Sequence, residues 1–200
     1  MYLVSDIPPK DHGANYVNIQ KLELPKIKSN PTTPTKAMPQ RSQNRTALLQ
    51  SAASFCLAFA TQAPPSEIFT HFSTQFQDEI IVIEHGLKRL APFLGREFRG
   101  MDGVKQYFAL ISKYLTYEDM SFENYVVDTV ENKVSVRGEA WFTWTSTCQS
   151  WKEIFTYVLA FDPDLKVVKY EIWGDSGAAY LASQEKLVRA DFERGEDEVD

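Results

Sequence analysis

KVSVRGEAWFTWTS, residues 133–146, is the stretch whose reading decides the fold class. Val134, Val136, Gly138, Ala140, Phe142 and Trp144 fall on one side of a two-residue repeat. Ser135, Arg137, Glu139, Trp141, Thr143 and Thr145 fall on the other. A strand with one apolar and one wet face belongs to an antiparallel sheet covered on one side only. Working outward, residues 119–129, 150–161 and 166–174 also read as strands, joined by the turns VEN, STCQ and DPDL. In the last of these Pro163 and Asp164 supply hairpin turn chemistry.

Upstream the period changes. Ala47, Leu48, Ser51, Ala52, Phe55, Leu57 and Phe59 recur every three to four residues and predict a helix from Ser42 to near Thr61. Pro64, Pro65 and Ser66 start a short second helix, SEIFTHF, because proline fits the first turn. EIIVIEH, residues 79–85, is β-branched and too short for a stable helix, so it is a strand. Val104, Tyr107, Phe108, Leu110, Ile111, Tyr114 and Leu115 mark a third helix with one buried face. SGAAYLASQEKLVRADFE, from Ser176, reads as a last helix. The predicted order is α-α-β-α-β-β-β-β, an α+β roll in which a curved antiparallel sheet wraps around three helices and leaves a cup.

Six prolines between Pro8 and Pro39, with spacers such as KSNPTTPTK, predict a disordered arm over 1–42, in which NYVNIQKLEL, residues 15–24, is the one candidate strap. The folded domain is expected over 43–183, with a helix end and acidic tail over 184–200. The chain carries a net charge of −6, and residues 46–182 hold eleven Lys/Arg against seventeen Asp/Glu. That balance argues against nucleic acid as a partner, since phosphate binding needs clustered cations. No apolar run reaches the roughly 18 residues of a membrane span, and MYLVSDIPPK lacks the features of a secretory signal, so a cytoplasmic protein is expected. Cys56 and Cys148 form no paired motif, and His12, His71 and His85 form no metal-ligand spacing, so neither metal nor cofactor is expected.

Three segments together resemble the nuclear-transport-factor-2-like superfamily, and within it the SnoaL-like group, in a fungal-type member. They are HFSTQFQDEIIVIEHG (71–86), FLGREFRGMDGVKQYFALI (93–111) and LKVVKYEIWGD (165–175). The resemblance covers roughly residues 46–182 and implies a cone-shaped, cystatin-like roll with a pocket. Its members include ketosteroid isomerase, polyketide cyclases and dehydratases, and also transport and scaffold proteins, so the fold leaves activity open. Against the ketosteroid isomerase pattern, the base position falls on His85, the tyrosine position on Phe55 and the acid position on Tyr157. All three depart from that pattern.

On the two-residue repeat His85 shares a face with Ile81 and Ile83, which the resemblance directs into the cup, while Glu84 points to the other side. An imidazole there suits proton transfer near neutral pH, and a core histidine held by its neighbours is the alternative. Tyr157 shares a face with Trp151, Glu153, Phe155 and Leu159, which makes an aromatic wall whose phenol can donate to an oxyanion. The same wall can equally be core. Trp173 and Asp175 share a strand face with Glu171; the resemblance allows a base at Asp175, and its place before SGAAYL makes it a helix cap. The expected catalytic residues are thus His85, Tyr157 and Asp175. The expected lining is Phe55, Phe108, Trp151, Glu153, Phe155, Glu171 and Trp173.

Two functions follow. One is a cofactor-free isomerase, cyclase or dehydratase acting on a hydrophobic, carbonyl-bearing metabolite. The other is a non-catalytic ligand-binding module or a homodimer joined through the open sheet face, where Trp141 stands among Ser, Arg, Glu and Thr as an interface anchor.

Overall fold

In the computed structural model of the chain the described residues are 40–187, with side chains from residue 44 on. The proposed strap and most of the arm and tail lie outside them. Helix α1 spans Gln40–Ala60 and α2 Pro65–Phe69; a 3-10 turn, Gln77–Glu79, leads into strand β1, Ile81–His85. A short strand β2, Glu97–Arg99, runs directly into α3, Gly100–Tyr114, and α3 directly into β3, Leu115–Asp128. Strands β4, Lys133–Trp144, β5, Gln149–Phe161, and β6, Val167–Trp173, precede α4, Ser176–Ser183.

All six strands form one sheet in the order β2-β1-β6-β5-β4-β3. The α+β class and the helices gathered on one face agree with the sequence. Two details are corrected. The EFR segment is a strand that pairs antiparallel with β1, too short at three residues to show an alternation. The sheet is also mixed, because β1 runs parallel to β6 while every other pair is antiparallel. The alternation of one strand reports its buried face and says nothing of the direction of a partner more than eighty residues away.

β4 behaves as its pattern dictates: Val134, Val136 and Ala140 are buried, and Ser135, Arg137, Glu139 and Trp141 stand on the opposite face. The sheet bends at β3, whose pairing with β4 slips between Glu118 and Ser121 and again between Glu123 and Val126. Asp119 and Asn124 occupy these slips in the left-handed region, at φ 53° and 57°. Asp and Asn tolerate that region best among residues with side chains, and such bulges increase twist and curvature.

The concave face is filled by Leu48, Ala52, Phe55 and Phe59 of α1, by Val104 and Tyr107 of α3, and by Ala179 and Ala182 of α4. Phe55 packs edge-on against Phe59, Phe72 and Tyr170 with ring centroids 5.1 to 5.7 Å apart, the arrangement aromatic quadrupoles favour. Gly103 lets α3 lie against the backbone of Phe98, where a Cβ would collide with the Phe98 carbonyl carbon. α4 ends earlier than its sequence suggests. Glu185 turns left-handed at φ 57° while its N–H and that of Lys186 donate to Ala182 and Leu181, a Schellman stop formed without glycine.

Candidate functional site

β1 lies beside β6 in the register Val82 to Tyr170, Glu84 to Ile172 and His85 to Trp173. Tyr170 and Ile172 are buried on the concave side, so Val82 and Glu84 face inward with them. This reverses the expected sides of Glu84 and His85. IIVI is apolar at every position, so it carries no alternation from which the inward parity can be read.

Glu84 therefore lines a cavity enclosed between the sheet, α3 and the start of α4. Its other walls include Phe93, Tyr107, Phe108, Tyr117, Phe142, Trp151, Glu153, Phe155, Tyr157 and Tyr170. A water molecule's centre can occupy about 60 Å³ of it, room for a handful of waters at roughly 10–15 Å³ each, or for one small ring. The Tyr107 hydroxyl donates to Glu84 Oε2 at 2.8 Å. Burial pushes the Glu84 carboxyl up to about 7; the Tyr107 hydrogen bond pulls against this, and the neighbouring Glu153 adds to it.

Glu153 is the second carboxyl of the cavity. Trp151 Nε1 donates to its Oε2 at 2.6 Å and the Asp175 backbone N–H to its Oε1 at 2.9 Å. Its carboxyl is also raised, chiefly by burial, against both of these hydrogen bonds. Gly174 makes the reach possible, because a Cβ there would overlap Glu153 Oε1. Across the cavity Tyr157 and Tyr170 pack edge to face with ring centroids 4.9 Å apart, and burial holds both phenols far above their ordinary range. Tyr107 is raised in the same way, first by burial and then by Glu84.

The expected residues divide between two faces. Tyr157, Phe108, Trp151, Glu153, Phe155 and Asp175 line the cavity. His85, Glu171 and Trp173 stand on the outer face of the sheet. There His85 Nε2 meets Glu171 Oε1 at 3.3 Å, its ring stacks on Trp173 at 4.1 Å, and Lys169 completes the cluster at 3.0 Å from Glu171. Phe55 is buried behind the cavity rather than on its wall. Asp175 leaves the parity of Glu171 and Trp173 because the strand ends at Trp173, and its Oδ1 caps α4 by accepting from Gly177 and Ala178 at 3.0 Å each. Glu84 and Tyr107 were not singled out as site residues. The available signal was a lone carboxylate inside a β-branched run, followed by a helix whose buried face carries a tyrosine.

No family model matches the chain, and no curated protein does. Solved structures do. An NTF2-like protein of Burkholderia thailandensis, 19% identical, superposes with a TM-score of 0.56 over 68% of this chain and 97% of its own. A protein of Jannaschia assigned as a SnoaL-like polyketide cyclase, 12% identical, gives 0.56 over 77% and 96%. TerC, co-crystallised with polyporic acid and 12% identical, gives 0.57 over 69% and 98%.

The chain has the nuclear-transport-factor-2-like fold.

Within this NTF2-like fold the residue near the end of β1 that faces the cavity is Glu84, one position before His85, and Tyr157 lies on the cavity wall. Among the described residues no three His, Cys, Asp or Glu side chains are arranged to hold a metal ion, and no helix is long and apolar enough to cross a membrane.

Proposed function

We propose that the cavity binds the carbonyl end of a hydrophobic metabolite and moves a proton next to that carbonyl, without a cofactor, as an isomerase, cyclase or dehydratase of the SnoaL-like type does. The observation that carries this reading is the placement of Glu84, a carboxyl inside an aromatic cavity whose hydrogen-bond partner is one phenol. The ionised carboxylate takes a proton from the carbon beside the carbonyl. The C–H electron pair becomes the new C=C bond and the carbonyl oxygen gains the charge. Burial holds the Tyr157 hydroxyl far above its ordinary range, so it keeps its proton and donates it in a hydrogen bond to that oxygen. Return of the proton from Glu84 to the same or another carbon completes the step. A base titrating near the working pH serves both halves. The cyclase and the ligand-bound TerC among the structural neighbours support a small-molecule role.

Incubation with acetophenone and cyclohex-2-enone in D2O, followed by NMR, tests this without the natural substrate. The protein is expected to accelerate exchange of the protons beside the carbonyl, and Glu84→Gln to remove about 10² to 10⁴ of that acceleration. No acceleration by the wild type, or equal rates in both proteins, overturns the reading.

The second reading, a non-catalytic homodimer, draws on the outer sheet face, where Ile154 is 61% and Trp173 42% exposed. Trp141 is on that face and half-buried. Light scattering of the wild type against Ile154→Asp and Trp141→Ser tests it; a monomeric wild type rejects it.

A further inference from the structure

A groove lies next to the cavity, between the end of α1, α2, α3 and the start of β3, and a water molecule's centre can occupy about 300 Å³ of it. Phe59, Phe108, Ile111, Leu115 and Tyr117 line both spaces, so the two are separated by one layer of side chains. The rest of the groove is divided between apolar Ala63, Pro65 and Ile68 and polar Gln62, Ser112 and Thr116, none of which carries a charge.

The partition is tied down at one end and loose at the other. The Tyr117 hydroxyl donates to the Phe59 carbonyl at 3.2 Å, and Gln62 Nε2 donates to the Tyr117 carbonyl at 3.1 Å. Phe108 is half-buried and makes ring contacts to Tyr107 at 5.4 Å, to Phe69 at 5.7 Å and to Phe59 at 5.9 Å, with no hydrogen bond. Rotation of a side chain held in this way costs contact energy but breaks no hydrogen bond.

The inner chamber has space for the reacting end of a ligand and little more. We infer that the groove is the second half of the same binding site: it takes the uncharged apolar extension of a ligand whose carbonyl end sits at Glu84, with Phe108 turning aside to join the two spaces. This rests on the small-molecule reading above and adds the ligand's shape, a compact carbonyl head with a linear alkyl or isoprenoid-like tail. The lack of charge in the groove disfavours a phosphorylated or carboxylated tail.

A series of phenyl alkyl ketones from acetophenone to octanophenone, titrated by ligand-detected NMR, tests the inference. Dissociation constants are expected to fall about three- to fourfold for each added methylene. Ser112→Trp fills the groove from an exposed position of α3, outside the inner chamber, and is expected to flatten that dependence. Lys105→Trp places the same bulk on α3 away from the groove and is expected to keep the wild-type slope. Circular dichroism confirms that both variants fold. A flat series in the wild type, or a slope in Ser112→Trp equal to that of Lys105→Trp, overturns the groove while leaving the cavity reading standing. Failure of every ketone to bind, acetophenone included, overturns both.

Discussion

Glu84 and His85 are neighbours in sequence and occupy different chemical worlds. Glu84 is enclosed by aromatic rings, bonded to Tyr107, and pushed up to about 7 by burial. His85, one residue on, lies flat on Trp173 at the outer surface, beside a carboxylate that is also paired with Lys169. The residue type with the more suitable unperturbed pKa thus stands outside, and the less suitable one is brought into range by its surroundings. Where a titratable group is put decides its chemistry more than what it is, since a desolvated carboxyl shifts by several units.

The largest expected effect breaks this comparison directly. Under the proposed function, Glu84→Gln lowers ketone α-proton exchange by about 10² to 10⁴, while His85→Ala stays within roughly twofold of wild type. In the wild type the exchange rate should rise with pH through about 7 and then level, as the carboxylate forms. A loss in His85→Ala as large as that in Glu84→Gln would return the chemistry to the outer face. NMR exchange rates between pH 5 and 9 measure both.

The same carboxyl links stability to pH. Its ordinary pKa is 4.5 and its folded value about 7, so between these pH values the folded state holds a proton that the unfolded state has released. Stability contributed by the protonated form is therefore complete below about pH 4.5 and is lost as pH rises to about 7, by ~3 kcal/mol. Urea unfolding at pH 5 and pH 8 should show Glu84→Gln gaining on wild type at the higher pH. A constant difference between the two proteins would mean that Glu84 ionises as freely in the fold as in the unfolded chain.

Much of the fold was legible because it is written in periods. The alternation of β4 and the helical spacing of α3 each fixed a buried face, and Tyr157, Trp151, Glu153 and Phe155 came to the cavity wall together because β5 alternates cleanly. The side of β1 was not legible. Four consecutive apolar residues fit either face, and the deciding register against β6 is a contact between segments far apart in sequence. Asp175 was misplaced for a related reason: counting by twos from Glu171 fails once the strand stops and the chain turns at Gly174.

Crowding also differs between the two faces of the sheet. On the concave side Gly138 sits opposite Phe155, and a Cβ at Gly138 would overlap the Phe155 ring. Gly138→Ala should therefore cost about 1–3 kcal/mol as an overpacked site. It should also push Phe155 toward the cavity and weaken acetophenone binding. Ser135→Ala, on the outer face of the same strand, should fall within about 0.5 kcal/mol of wild type. Paired urea unfolding curves decide this, and equal midpoints would show that the ring moves aside at no cost.

Asp175 gives the smallest effect and the sharpest boundary between structure and chemistry. It touches the cavity wall, yet its carboxylate is occupied by the first turn of α4, and the group it offers Glu153 is its backbone N–H, which no substitution other than proline removes. Asp175→Ala should lose about 1 kcal/mol of stability with the cap, while Asp175→Asn, whose side-chain oxygen still accepts from Gly177 and Ala178, should lose only a few tenths. Exchange rates in Asp175→Asn should then stay near wild type, because Glu153 remains held and Glu84 is untouched. If Asp175→Asn instead keeps its stability and loses exchange as deeply as Glu84→Gln, the base is Asp175 and the capping bonds are what position it.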